Sequence, residues 1–96
     1  MYKILNYFLG IKRFKDQRYI EAYNCFLASY DYKDSYSYCV KCLNMINEEV
    51  YQIGLKYMEE KKYLEAISVF KSIINYRSSN FHIEECEELL NTLLLP

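Results

Sequence analysis

A chain of 96 residues holds one domain at most. Its 52% hydrophobic and 26% charged residues make a globular composition, not a disordered one, and a net charge of −1 argues against a general nucleic-acid binder. With two glycines and a single proline, at position 96, few residues interrupt a helix, and the expected fold is all-α. The charge is unevenly spread. Residues 1–43 carry seven Lys/Arg against four Asp/Glu and residues 44–96 five against nine, so a +3 half precedes a −4 half, and such a molecule can associate head to tail or meet two kinds of partner.

Five helices are expected in chain order. The first covers residues 2–16. Asn6 interrupts its apolar stretch, Lys12 and Arg13 follow, and no small-residue cleavage site is present, so it does not read as a secretory signal. No apolar run approaches the roughly 18–20 residues of a membrane span. A polar corner at Asp16–Arg18 leads to a second helix over 19–30, with Glu21 placed to favour the helix dipole. The stretch "YDYKDSYSYCVKC", Tyr30–Cys42, reads as a seam in which Asp34 or Ser35 caps the next helix. "LNMINEEV" lacks Gly and Pro, so the third helix, 35–60, is expected to run on unbroken for about 40 Å, a break near Asn44–Asn47 being the alternative. After a second corner at Glu59–Lys62 comes a fourth helix, 63–75, with Ala66, Ile67, Phe70, Ile73 and Ile74 at helical spacing. The fifth, 79–94, is expected to cap the stack with Leu89, Leu90, Leu93 and Leu94 inward and Glu84, Glu85, Glu87 and Glu88 mostly outward.

Shifted by 44 residues, the sequence matches itself. Tyr7, Gly10, Lys12, Tyr19, Glu21, Ala22, Phe26, Tyr32, Ser35 and Cys42 fall on identical residues, 10 of the 36 positions 7–42. The two glycines sit inside expected helices at a cost of about 1 kcal/mol each relative to Ala, which points to close approach of a neighbouring helix. The spacings Gly10–Ala22–Phe26 and Gly54–Ala66–Phe70, with Tyr19 and Tyr63 nine residues after each Gly, resemble the tetratricopeptide repeat (TPR) family. The period of 44 exceeds that family's usual length, and Asp34 and Ser78 stand where its proline usually does. The resemblance implies one TPR-like domain over 1–96, with a first unit at about 7–43, a second at about 51–86 and the 79–94 helix as cap.

It also implies a protein or peptide partner on the first-helix face of each unit, at Tyr7, Ile11, Phe14 and Lys15 and at Tyr51, Leu55, Met58 and Glu59. The Lys/Asn set that clamps a terminal carboxylate in chaperone-binding members is absent from these positions. Twelve tyrosines are a surplus, and those without a repeat counterpart, Tyr36 and Tyr38 among them, are candidates for an interface. Cys39-x-x-Cys42 with His82 and Cys86 has the composition of a Cys3His zinc set, against which Cys42 and Cys86 are explained as one small apolar repeat slot. No catalytic constellation and no cofactor motif stands out.

The expected function is a non-catalytic protein–protein interaction module of the cytoplasm, self-associating as a homodimer, without direct nucleic-acid binding. The alternative is a small inhibitor of phage or mobile-element type that blocks a host or defence enzyme. A membrane-surface segment over 1–15 is a further alternative, since Lys3, Lys12, Arg13 and Lys15 accompany Ile4, Leu5, Phe8 and Ile11.

Overall fold

The computed structural model describes residues 2–94, and among them the fold is all-α: α1 Tyr2–Lys15, α2 Tyr19–Ala28, α3 Ser35–Glu59, α4 Tyr63–Lys71 and α5 Ser79–Leu94. The starts agree with the sequence reading. The helix α3 is continuous through Asn44–Asn47, 25 residues or about 37 Å, because nothing in that stretch removes a backbone donor or opens a turn. Both α2 and α4 end earlier than expected, at Ala28 and Lys71, where successive turns replace the last helical turn.

Two compact units divide between Ile46 and Asn47, inside α3 and within the residues left between the two expected units. The first buries Tyr7, Ala22, Phe26, Cys39 and Cys42. The second buries Tyr51, Ala66, Phe70, Ile73, Ile83 and Cys86. At the centre of each, a phenylalanine ring lies on a glycine. A Cβ built on Gly10 would stand 2.9 Å from Phe26 Cε1, and one on Gly54 2.6 Å from Phe70 Cζ. The missing side chain is what lets the ring of one helix sit against the backbone of the next.

The corners also recur 44 residues apart. Gln17 and Lys61 both adopt φ 62°, and the chain closes each first helix with the same pair of bonds: Gln17 N–H to Phe14 O and Arg18 N–H to Arg13 O, Lys61 N–H to Met58 O and Lys62 N–H to Tyr57 O. This is the paired-bond helix terminus usually built on glycine. Lys33 and Arg77, at φ 49° and 50°, take the left-handed position of the seams. In the first seam Ser35 Oγ donates to Tyr32 O at 2.7 Å and lies 2.9 Å from Ser29 Oγ, so two fully buried hydroxyls satisfy one another. Asp34 O accepts the first helical bond of α3, from Tyr38 N–H, but its carboxylate is taken by Tyr7 Oη. Neither Asp34 nor Ser35 therefore caps with its side chain in the way expected.

The leucines of α5 do not all point inward. Leu90 is half-buried, while Leu89, Leu93 and Leu94 are exposed, the last two at 69% and 80%. Leu89 lies about 100° around the helix from Leu90, off the face that Ile83 and Cys86 bury, and for Leu93 and Leu94 the reason is length. The helix packs on α4, which has nine residues against its 16, so α5 outruns its support by about 10 Å.

Candidate interaction surface

Around each central phenylalanine, aromatic rings and a few polar groups fix the first helix of the unit. In the first unit Tyr38 stacks on Phe26 with ring centroids 4.6 Å apart and 7° between planes, and Tyr7 meets Phe26 edge-on. Tyr7 Oη donates to Asp34 Oδ1 at 2.5 Å, and that bond, helped by burial, pushes the phenol up to about 12. In the second unit His82 takes the place of Tyr38, its ring 5.0 Å from that of Phe70, and Tyr51 Oη lies 2.8 Å from His82 Nε2. The other ring nitrogen, Nδ1, is buried without a hydrogen bond, 3.6 Å from Glu85 Oε1. His82 thus acts as a packed aromatic with one polar tether.

Glu48 is the polar hub of the second unit. It accepts from Tyr76 Oη at 2.7 Å, from Gln52 Nε2 at 2.9 Å and from Arg77 Nη1 at 2.9 and 3.1 Å. Those donors, Tyr76 first, hold its carboxyl down at about 2. The unfolded glutamate, at the ordinary 4.5, takes up its proton first as pH falls. Stability from this hub is therefore full above pH 4.5 and is lost between 4.5 and about 2. Glu48→Gln should be less stable than the parent at pH 7, with the difference shrinking through that window, as urea midpoints at several pH values would show. A difference independent of pH would mean the carboxylate charge is not what the hub uses.

The four thiols are unpaired, and burial pushes each of them up, Cys42 to about 11. That is the state of packed side chains rather than of nucleophiles. The candidate zinc set divides between the units, Cys39 and Cys42 in the first and His82 and Cys86 in the second. Among the described residues no group of three or more His, Cys, Asp or Glu is placed to hold a metal ion. An open groove lined by Asn47 and residues 72–76 has Tyr76 as its titratable side chain, and that hydroxyl is engaged with Glu48.

The interface candidates fare unequally. Tyr7 and Tyr51 are buried, which makes them core residues and leaves them little surface for a partner. Ile11, Phe14 and Tyr38 pack against the first core, and Leu55 and Met58 against the second. Tyr36 stands in solvent, 59% exposed, meeting Tyr30 edge-to-face at 5.6 Å, and the charged Lys15 and Glu59 are exposed as well.

Large apolar side chains are exposed on every helix, and on α1 they gather into a row. Leu5, Phe8 and Leu9 are exposed, Leu5 at 73% and Phe8 at 55%, and with Lys12 they form the row opposite Tyr7 and Gly10. The counterparts of Leu5, Phe8 and Lys12 in the second unit are Glu49, Gln52 and Lys56, all exposed and all polar. The sequence carried a signal for this. Six of residues 2–9 are apolar or aromatic, Lys3 and Asn6 being the exceptions, which is more than one core can take from a surface helix. Of the basic residues beside this row, Lys3 is bonded to Asp31 at 2.6 Å and Arg13 lies 3.7 Å from Glu21.

No helix among the described residues is long and apolar enough to cross a membrane. Set against protein families, curated proteins and solved structures, the chain shows no match to any family model, curated protein or solved structure.

Proposed function

We propose that this chain is a non-catalytic protein–protein interaction module built as two TPR-like units, working in the reducing environment of the cytoplasm. The observation that carries the reading is the exposed row Leu5, Phe8 and Leu9 on α1. The matching helix of the second unit carries Glu49 and Gln52 opposite Leu5 and Phe8 in the repeat, and an exposed Ile53 at the position of Leu9, so the fold itself does not call for apolar residues at the first two of those positions. An exposed cluster of large apolar side chains that folding does not require is a contact surface. The exposed Tyr30–Tyr36 pair adds ring area of the kind interfaces favour. The TPR-like reading is supported by the starts of α2 and α4, the starts of α3 and α5, the ends of α1 and α3 and the left-handed corners, which recur 44 residues apart. The unpaired, protonated thiols fit a reducing compartment.

The test is site-specific photocrosslinking in the native host. A photoreactive phenylalanine at position 8 should give a discrete protein adduct that is lost with Leu5→Glu, while the same group at position 52 should give none. Equal labelling from positions 8 and 52, or none from 8, would refute the reading.

A further inference from the structure

We infer that the partner of the α1 row is a second copy of this chain, which contributes its α5 in antiparallel orientation. The inference rests on the interaction-module reading and adds the partner, the helix and the register. It starts from composition. Within Tyr2–Lys15 there is no Asp or Glu but four Lys/Arg, and within Ser79–Leu94 there is no Lys or Arg but four Glu. Both helices leave apolar side chains in solvent: Leu5, Phe8 and Leu9 on α1, and Leu89, Leu93 and Leu94 on α5.

The order of the blocks fixes the direction. Along α1 the apolar block comes first and the basic one second, whereas along α5 the acidic block precedes the apolar one. Only an antiparallel pairing puts apolar on apolar and Lys/Arg on Glu together. The spacings then agree. Leu5 and Leu9 are four apart, as are Leu89 and Leu93, and Glu85 lies four before Leu89, so each helix carries a row on one face. Leu5 falls opposite Leu93, Leu9 opposite Leu89, and Lys12 beside Glu85. Among the described residues Lys12 makes no ion pair, and Glu85 has the 3.6 Å approach of His82 Nδ1 alone. A membrane surface would meet the same α1 row, but two of its four cations already face Asp31 and Glu21, which weakens attraction to anionic lipid more than attraction to an acidic, apolar helix.

Sedimentation velocity on the full chain, up to on the order of 100 µM, should show reversible association that weakens as salt rises. Leu5→Glu and Leu93→Glu, both at exposed positions, should each weaken it by about tenfold or more. Lys12→Glu alone and Glu85→Lys alone should each fail to self-associate, yet an equimolar mixture should associate, because every contact between unlike copies is then attractive. Leu5→Asp mixed with Leu93→Lys repeats the complementation without touching Glu85, and circular dichroism confirms that each variant is folded. A chain monomeric throughout, association indifferent to Leu5→Glu and Leu93→Glu, or mixtures that stay monomeric would each overturn the inference. So would binding to phosphatidylserine–phosphatidylcholine vesicles by a chain that remains monomeric. A crosslink from position 8 to a different protein, with the chain monomeric, would sink self-association and leave the interaction module standing.

Discussion

Phe70→Ala is expected to cost about 3–5 kcal/mol, the range for removing a large aromatic side chain from a core. The ring is fully buried between the edge of Tyr51 and the face of His82, and Gly54 beneath it has no side chain to fill the space left behind. The upper part of the range is therefore the better expectation, since the cost rises with the cavity that fails to collapse. Total stability for a domain of this size is on the order of 5–15 kcal/mol, so the variant should be near the edge of folding. Urea unfolding followed by far-ultraviolet circular dichroism would measure it, and Phe26→Ala should behave alike in the first unit. A loss below about 1 kcal/mol would mean that the ring is not the centre of the unit.

Gly54→Ala opposes two effects of known size. Helix propensity favours Ala by about 1 kcal/mol in a helix interior. Against it, a Cβ 2.6 Å from Phe70 Cζ forces a shift, and overpacking of a buried site costs about 1–3 kcal/mol. The ring is fully buried, with His82 against its face at 5.0 Å between centroids, and cannot move away freely. The net effect should be destabilising, and greater than for Gly10→Ala, where the nearest ring atom is at 2.9 Å. Combining Gly54→Ala with Phe70→Leu should cost less than the two separate losses together, because the smaller side chain makes the room the new methyl needs. Strict additivity in denaturant midpoints, or a stabilised Gly54→Ala, would show that the glycine is not there for the ring.

The five helices were legible because each start is written locally. The polar corners, the seam and the apolar steps sit within a few residues of the bonds they govern, and each helical hydrogen bond spans only four residues. The two glycines were legible as close-approach sites, although what approaches is a phenylalanine ring. The candidate surface was less legible. The first-helix positions Tyr7, Ile11, Phe14, Tyr51, Leu55 and Met58 hold the cores, and the apolar row that faces solvent is one helical face away at Leu5, Phe8 and Leu9. Periodicity shows that a helix has two apolar faces without saying which one meets its neighbour.

By itself, then, the sequence determined the secondary structure, the 44-residue recurrence of its landmarks and the division of charge between the two halves. Only the tertiary structure decided which side chains are buried. Tyr7 finds its acceptor at Asp34, 27 residues on, and Tyr76 finds Glu48, 28 residues back, pairings no local pattern encodes. Leu93 and Leu94 are left in solvent because α5 is longer than the helix it packs on, a fact about two elements together. Helix formation depends on neighbours along the chain, and burial depends on what lies across from it.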